Sequence, residues 1–349
     1  MKALVLEQYK QFVYTEVPDP SIGEEDVLIR VKFCGICGSD IHGMDGSSGR
    51  RIPPLIMGHE ASGVIEAVGA SVSGWQIGDR VTFDSTVYCG KCWFCRRGEI
   101  NLCENRQVVG VSCPDYRRNG AFADYVVVPG RILYRLPANL TFEQGAFVEP
   151  VSIAVHAVER TPMHIGDTAV VVGSGMIGLL VVQALRAVGY GQILAIDLDP
   201  ARLDSAIQLG ADWGLQSDKL NIGVEVRERT SGRGADAVFE VVGNPATFLL
   251  ALSCVRTGGQ VTLVGNLAPK VELPLQAVVT REITLNGSCA SQGEYGASLD
   301  LIARGAIKVD SLLSATAPVA DGQIWFDRMY NRESGLLKVM LQPESVGRG

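Results

Sequence analysis

The fold of the second half of the chain is decided by the stretch Thr168-Ala169-Val170-Val171-Val172-Gly173-Ser174-Gly175-Met176-Ile177-Gly178. The run before the glycines predicts a buried strand, and Met176–Val188 predicts a helix directly after them. The G-x-G-x-x-G spacing lets the backbone approach a pyrophosphate, whose charge the helix N-terminus stabilises. Asp197 follows nineteen residues after Gly178, where a carboxylate binds ribose hydroxyls and repels a 2′-phosphate. The stretch therefore predicts a dinucleotide site that favours NAD over NADP.

Strands and helices alternate around this stretch, with strands predicted at 193–196, 237–241 and 260–264 and helices between them. Such repeated units predict a doubly wound parallel sheet with helices on both faces, as in a Rossmann domain. The first 150 residues instead contain short β-branched runs separated by glycine and proline, which predict a barrel-like β domain. We therefore predict an α/β protein with a dinucleotide domain at 151–287 and a second domain from 1–150 and 288–349.

The candidate residues of the dinucleotide site follow from the same pattern. Arg202 is included as a cation near the adenine, although a solvated side chain is the favoured alternative for it. The full set is Gly173, Gly175, Met176, Ile177, Gly178, Asp197 and Arg202.

Composition excludes several classes of function. The 349 residues carry 31 basic and 38 acidic side chains, a net charge of −7, and no basic block typical of nucleic-acid binding. The start of the chain turns polar too soon for a signal peptide, and the apolar run 169–189 is interrupted by glycines, Gln183 and Arg186. Neither secretion nor a membrane span is expected, and nine cysteines then point to a reducing cytoplasm.

Four of the cysteines are spaced C-x2-C-x2-C-x7-C between positions 89 and 103. Four thiolates this close together can form the closed tetrahedral shell of a structural zinc ion. Two disulfides would require an oxidising compartment, and the spacing fits neither common ferredoxin pattern. We predict a structural zinc site formed by Cys89, Cys92, Cys95 and Cys103.

A second constellation combines Cys37 with the adjacent pair His59 and Glu60. One thiolate, one imidazole and a carboxylate are a suitable ligand set for a zinc ion that keeps an open position. A lone histidine is more often an ordinary core or surface residue, so the spacing alone leaves both interpretations open.

Several motifs occur in one order along the whole chain: Cys37-Gly38-Ser39-Asp40-Ile41-His42, Gly58-His59-Glu60, the four-cysteine run, Val148-Glu149-Pro150 and the glycine fingerprint. In this combination the chain resembles the zinc-dependent medium-chain dehydrogenases, and within them the sorbitol-type polyol dehydrogenases. The resemblance implies a GroES-like β-barrel catalytic domain, with a structural-zinc lobe at about 86–106, beside a Rossmann domain. It also implies two zinc ions per subunit, NAD as cofactor and a homodimer or homotetramer.

The resemblance also implies the roles of individual residues. Cys37, His59 and Glu60 are expected to hold the catalytic zinc, and Glu149 to bind it directly or through water. Zinc would act as a Lewis acid on a substrate oxygen, while hydride passes to NAD. Ser39 and His42 match the proton-relay positions, although a helix cap and a surface residue are their alternatives. Arg281 matches a position that contacts substrate hydroxyls, with a surface ion pair to Glu282 as its alternative.

The substrate class that follows is a polyol, cyclitol or sugar derivative oxidised reversibly at a secondary hydroxyl. Arg50 and Arg51 are candidates for reading a substrate anion, although paired arginines in a glycine-rich loop are more often solvated. Cys34 is expected to serve packing rather than redox chemistry. The other thiols, Cys113, Cys254 and Cys289, are expected to be ordinary buried residues.

Two rival functions stay open at the level of sequence. An L-threonine 3-dehydrogenase shares the zinc sites and the Glu-Pro pattern, but that branch usually has threonine where this chain has Ser39. A catalytically silent NAD(H)-binding protein on the same fold is the alternative of another class. The intact set of Cys37, His59, Glu60 and Glu149 argues against this second rival.

Overall fold

The computed structural model of the protein describes residues 1–344, so the last five residues of the predicted catalytic domain lie outside the described part. The chain divides into two compact units. Unit 1 comprises Met1–Glu149, Ser291–Arg304 and the chain from Val309, and unit 2 comprises Pro150–Ala290 and Gly305–Lys308.

The first 149 residues contain most of the strands of unit 1. The helices in this part are α1 (Gly38–Met44), α2 (Phe142–Ala146) and the first residues of α3 (Val148–Glu159). The strands are β1 (Lys2–Gln8), β2 (Gln11–Glu16), β3 (Asp26–Gly35), β4 (Leu55–Ile56), β5 (Glu60–Val68), β6 (Arg80–Phe83), β7 (Thr86–Val87), β8 (Gln107–Val108), β9 (Val111–Cys113), β10 (Tyr116–Arg118), β11 (Tyr125–Pro129) and β12 (Leu133–Arg135).

Unit 2 contains the strand–helix alternation that the sequence predicts. Its helices are the rest of α3, α4 (Met176–Val188), α5 (Pro200–Gln208), α6 (Ile222–Arg229), α7 (Pro245–Cys254) and α8 (Leu275–Thr280). Its strands are β13 (Thr168–Val172), β14 (Gln192–Asp197), β15 (Trp213–Gln216), β16 (Ala235–Glu240), β17 (Val255–Leu263) and β18 (Thr284–Gly287). The chain then completes unit 1 with α9 (Tyr295–Ala303), β19 (Leu313–Pro318), α10 (Gly322–Tyr330) and β20 (Lys338–Gln342).

The largest sheet of unit 1 has the order β12-β6-β5-β3-β20-β19, and β11 pairs with β3 as well. Its core is formed by side chains of β3, β5, β6, β11 and β20, together with the aromatic residues Phe122 and Phe326. At the end of β3, Gly35 pairs with Glu60 on one side and with Met340 on the other. This register brings three distant parts of the chain, near residues 37, 60 and 338, to one corner of the unit.

Unit 2 contains a six-stranded parallel sheet with the order β15-β14-β13-β16-β17-β18. The central strand β13 is buried along Ala169–Val172, because a parallel sheet covered on both faces requires a continuous apolar run. The fold class predicted from the sequence, a GroES-like β domain with a doubly wound sheet domain, is confirmed by the architecture and by the similarities reported below.

The short return of Gly305–Lys308 to unit 2 has no signal in the sequence. It depends on Gln183 in α4, whose side-chain amide donates to the Lys308 carbonyl at 3.1 Å and accepts from the Lys308 amide at 2.7 Å. A buried polar group requires such partners, and these two hydrogen bonds explain why Gln183 lies among the buried residues of α4. Within residues 1–344, no helix combines the length and the apolar character needed to cross a bilayer.

Candidate functional site

Cys37, His59 and Glu60 lie together in unit 1, with one ligand atom from each within 4.8 Å of the others. Cys37 is half-buried at the N-cap of α1, while His59 and Glu60 are buried at the start of β5. The turn before β5 requires Gly58, whose φ is +98° and whose added Cβ would lie 2.8 Å from Cys34 Sγ. Cys34 is itself buried in β3, in agreement with the packing role expected for it.

Glu60 is held by a lysine that the sequence did not single out. Lys338 Nζ lies 2.5 Å from Glu60 Oε2 and also donates to the Ile36 carbonyl at 3.1 Å. Burial opposes the charge of Lys338, but Glu60 raises the pKa of the ammonium group above its ordinary value. The carboxylate fits only because position 35 is glycine, since a Cβ there would lie 2.3 Å from Glu60 Oε2.

Asp40 contacts two of the three ligands and is also a residue without an assigned role at the level of sequence. Its Oδ2 accepts the Cys37 backbone amide at 3.3 Å, and its Oδ1 lies 3.5 Å from His59 Nδ1. Arg51 Nη2 donates to the same Oδ1 at 3.0 Å. Burial alone would raise the pKa of Asp40, but the adjacent His59 and Arg51 lower it to about 2. A carboxylate beside Nδ1 favours the tautomer that carries its proton on Nδ1, which leaves Nε2 available for a metal.

Glu149 lies outside the three-ligand group but close to it in unit 1. Ser85 Oγ donates to Glu149 Oε1 at 2.9 Å, and burial raises the pKa of the Glu149 carboxyl. Asp84, the residue before Ser85, is a second carboxylate in this part of unit 1. It accepts hydrogen bonds from the Thr86 amide at 2.8 Å and from the Ser291 hydroxyl at 3.4 Å. A zinc role for Glu149 therefore stays a prediction, because its carboxylate is engaged by Ser85 in this arrangement.

The relay and substrate candidates have different surroundings. Ser39 is exposed and His42 half-buried in α1, three residues apart and so on one face of the helix. Arg281 lies in unit 2 and donates to the backbone carbonyls of Leu252, at 2.9 Å, and Val255. Its guanidinium is therefore hydrogen-bonded to backbone carbonyls of unit 2. The expected contact with substrate hydroxyls gains no support from this geometry.

The four cysteines Cys89, Cys92, Cys95 and Cys103 also form one group, with their sulfurs within 4.8 Å of one another. Backbone amides point at these sulfurs: the Cys89 amide donates to Cys103 Sγ at 3.2 Å and the Cys95 amide to Cys92 Sγ at 3.5 Å. The Lys91 amide lowers the pKa of the Cys89 thiol to about 6, whereas burial raises that of Cys95 to about 12. Amide donors to sulfur favour the thiolate that zinc binds.

The remaining thiols only partly match the expectation of burial. Cys254 is buried and Cys113 is half-buried. Cys289 is exposed, so the expectation was wrong for this residue, which follows the edge strand β18.

The dinucleotide candidates form the turn between β13 and α4. Gly173 has φ +99°, and a Cβ at Gly178 would lie 1.8 Å from the Gly173 carbonyl, so the turn requires both glycines. A Cβ at Gly175 would meet nothing within 4 Å, which leaves open space at the N-cap of α4, where Met176 and Ile177 begin the helix. This opening at a helix N-terminus fits a pyrophosphate.

Asp197, at the end of β14, contacts the glycine turn directly. Its Oδ2 accepts the Ser174 amide at 2.7 Å, and its Oδ1 accepts the amides of Leu198 and Asp199 at 2.8 and 3.0 Å. The guanidinium of Arg202 lies 4.0 Å from Asp197 Oδ2 and 3.7 Å from Asp199 Oδ2. Asp197 thus shapes the turn in addition to any contact with ribose.

The ligand groups fit the metal that the sequence predicts. Among the residues of the described part, Glu60 Oε1 is buried with no hydrogen-bond partner, and a cation would satisfy it. One thiolate, one imidazole and one carboxylate leave a position of a zinc ion open, whereas four thiolates close it.

Comparison with known proteins identifies two family domains in the chain. Residues 23–138 match the alcohol dehydrogenase GroES-like domain, and residues 177–304 match the zinc-binding dehydrogenase domain. The chain is 34% identical to the sorbitol dehydrogenase of Bacillus subtilis (strain 168) over 348 residues, covering 98% of this chain and 97% of that protein. It is also 34% identical to the D-arabitol-phosphate dehydrogenase of Enterococcus avium, covering 96% and 94%.

The structure is similar to that of the alcohol dehydrogenase TADH from Thermus sp. ATN1, with a TM-score of 0.92, 34% identity, and coverage of 99% and 100% of the two chains. The fold and the ligand groups define a zinc-binding dehydrogenase. The chain belongs to the zinc-dependent medium-chain dehydrogenases, in their polyol dehydrogenase branch. It is an oxidoreductase that acts on CH–OH groups.

Proposed function

We propose that this protein reversibly oxidises a secondary hydroxyl of a polyol, cyclitol or sugar derivative, with NAD as the hydride acceptor. The observation that carries the proposal is the open ligand set of Cys37, His59 and Glu60 in unit 1. A second observation supports it: in unit 2, the glycine turn and Asp197 fit a dinucleotide. Relatives named for sorbitol and arabitol phosphate support the substrate class.

When bound, zinc supplies Lewis-acid polarisation of the substrate oxygen. Cys37 and His59 would hold the ion, with Asp40 fixing the orientation of both. Glu60 would be a ligand through its unpartnered Oε1 while Lys338 retains Oε2. Glu149, held by Ser85, would contact the ion directly or through water.

The proton of the substrate hydroxyl needs a route to solvent. We assign it to Ser39 and His42, since both lie on one face of α1 and Ser39 is exposed. An imidazole is suited to passing protons near neutral pH.

NAD is the proposed cofactor because the Asp197 carboxylate would repel a 2′-phosphate. Gly173, Gly175, Met176, Ile177 and Gly178 would contact the pyrophosphate through the turn and the helix N-terminus. Arg202, which lies beside Asp197 and half-exposed, would meet the adenosine end.

A homodimer or homotetramer in the cytoplasm completes the proposal. The edge strand β18 and the exposed apolar side chains of Leu275 and Val279, each 63% exposed, support association through unit 2. None of the nine cysteines, all within the described residues, forms a disulfide, which supports a reducing compartment.

The test is NADH production across a panel of polyols, sugar acids, sugar phosphates and L-threonine, with zinc counted per chain. We expect turnover of a secondary alcohol, two zinc ions per chain, and loss of activity when a chelator removes one of them. NADP in place of NAD should lower kcat/KM. Turnover confined to L-threonine would support that rival, and absence of turnover by protein carrying two zinc ions would support the silent NAD(H)-binding rival.

A further inference from the structure

Arg51 is a buried arginine inside the loop that connects α1 to β4. Its side chain is 5% exposed, whereas the adjacent Arg50 is exposed. The side chain of Arg51 fits because position 43 is glycine, since an added Cβ there would lie 2.2 Å from Arg51 Cγ. Neither expectation for this residue, a solvated side chain or a reader of a substrate anion, fits a guanidinium that the protein covers.

The guanidinium contacts three different groups. Nη2 donates to Asp40 Oδ1 at 3.0 Å and to Ser39 Oγ at 3.4 Å. Nη1 donates to the Arg50 carbonyl at 3.0 Å. A planar fork can reach several acceptors at fixed angles, whereas a lysine ammonium at this position would be a single point of charge.

Through Asp40 the contact reaches the metal ligands. Asp40 is fully buried, and its two oxygens contact the Cys37 backbone amide and His59 Nδ1. Once His59 is a neutral metal ligand, Arg51 is the cation that balances this buried carboxylate. Without that cation, the orientation of Asp40, and with it the orientation of Cys37 and His59, loses its anchor.

Through Ser39 the same side chain reaches the proposed proton relay. Because Ser39 Oγ accepts from Arg51, the single hydroxyl proton of Ser39 has to point elsewhere. The contact holds the Ser39 oxygen beside the guanidinium and excludes the orientation in which its proton points at Arg51.

We propose that Arg51 is a positioning residue for the dehydrogenase reaction: it fixes Asp40, which orients Cys37 and His59 for zinc, and it fixes the hydroxyl of Ser39 for proton transfer. This inference rests on the proposed function, since it assigns Arg51 a role at the same site. Its two halves are separable because they involve two different acceptors.

The experiment compares Arg51→Met and Arg51→Lys with the wild type and with Arg304→Met. The control removes an arginine of equal size from an exposed ion pair of unit 1, in which Arg304 Nε lies 3.1 Å from Asp300. The readouts are the rate at which a chelator removes each of the two zinc ions, the electronic spectrum after cobalt substitution, and kcat and KM.

We expect Arg51→Met to release the zinc of the Cys37 group about 10–100-fold faster than wild type, with an altered cobalt spectrum and a lower kcat. The zinc of the four-cysteine group should leave at the wild-type rate. Arg51→Lys should restore most of the zinc retention, because it keeps a cation near Asp40, but not kcat, because one ammonium group replaces the fork that also reaches Ser39.

Zinc release and kcat in Arg51→Met equal to those of Arg304→Met would overturn the inference. If Arg51→Met fails to fold, Arg51→Lys decides it, since wild-type kcat in that variant is incompatible with the Ser39 contact. Wild-type protein that holds two zinc ions but oxidises no alcohol would refute the proposed function, while the zinc-release comparison would still test the anchoring of Asp40. Wild-type protein that holds zinc only in the four-cysteine group would refute both.

Discussion

The four-cysteine group and the Cys37 group are both metal-ligand sets of unit 1, but they are built from different parts of the chain. The first takes all its ligands from fifteen consecutive residues, and its sulfurs accept backbone amides from the same segment. The second combines the N-terminus of α1, just after β3, with the start of β5. Two buried carboxylates of this region, Asp40 and Glu60, are balanced by Arg51 and Lys338. Local hydrogen bonds suffice for the first group, whereas the second needs buried ion pairs.

This difference follows from what each group has to do. Four thiolates close the shell of an ion near the surface, so the surrounding protein only has to supply amide donors. An ion that keeps an open position lies among buried carboxylates, and a buried charge is costly unless a partner balances it. The two groups should therefore respond differently to the same kinds of substitution.

The largest effect is expected from opening the four-cysteine group with Cys103→Ser. Cys103 is buried and receives the Cys89 amide, and structural zinc contributes about 10 kcal/mol or more to folding in small zinc modules. We expect loss of one zinc ion per chain and rapid tryptic cleavage after Arg96 or Arg97, which are exposed in this segment. The measurement is limited proteolysis together with a zinc count.

Cys113→Ser is the matched control, because Cys113 is half-buried and belongs to neither ligand group. It should keep both zinc ions and the wild-type rate of cleavage. If Cys103→Ser behaves like this control, the four sulfurs do not hold the segment together through a shared ion.

The next effect is expected from Cys37→Ser, and it should appear in catalysis rather than in folding. Loss of the Lewis acid should cost about 4 kcal/mol of transition-state stabilisation, or about 1,000-fold in kcat/KM. Cys37 is half-buried and serine is nearly isosteric with it, so the free energy of unfolding should decrease less than in Cys103→Ser. Kinetics with the best substrate of the panel, a zinc count and urea unfolding test this; a variant that loses stability but keeps its kcat/KM would reverse the assigned roles.

The sequence predicted the four-cysteine group more completely than the Cys37 group, because the first is local in sequence and the second is not. The C-x2-C-x2-C-x7-C spacing contains the whole first group, and the glycine fingerprint likewise contains its strand, turn and helix, with β13 and α4 found at the predicted residues. The three ligands of the second group came from resemblance rather than from spacing. Their charged partners were missed: Lys338 is 278 residues from Glu60 and meets it only because β20 pairs with β3.

Arg51 and Arg281 show the same limit at the level of single side chains. Both are arginines next to another charged residue in sequence, a pattern typical of a solvated surface. The first is buried against Asp40, and the second donates to two backbone carbonyls of unit 2. Which acceptor a guanidinium finds depends on tertiary packing, so neither contact is visible in the order of residues.

The third effect is expected from Lys338→Met, which leaves the Glu60 carboxylate buried without its cation. Breaking such a pair from one side should lower the free energy of unfolding by about 3 kcal/mol. The exposed pair of Arg97 and Glu99 in the four-cysteine segment is the control, and Arg97→Met should cost no more than about 0.5 kcal/mol. Adding Glu60→Gln to Lys338→Met should recover part of the loss in urea unfolding, since it removes the unpaired charge; strict additivity of the two substitutions would contradict this explanation.

The smallest effect concerns Asp84, which precedes the Ser85 that binds Glu149 and has neutral hydrogen-bond donors in place of a cation. Burial raises the pKa of Asp84 to about 7, although the Thr86 amide and the Ser291 hydroxyl donate to it. The folded state therefore binds more protons than the unfolded state between the ordinary carboxyl range and neutrality, so stability decreases as the pH rises through that window.

This group should cost the wild type about 2 kcal/mol of unfolding free energy between about pH 5 and about pH 7. Asp84→Asn keeps an acceptor for the Thr86 amide but does not titrate, so its stability should decrease less over the same range. Urea unfolding at several pH values measures the two slopes, with the exposed Asp300→Asn as a control that should follow the wild type. Parallel slopes for wild type and Asp84→Asn would mean that Asp84 is ionised in the folded protein, and the contrast between cation-balanced and unbalanced carboxylates around the second group would then disappear.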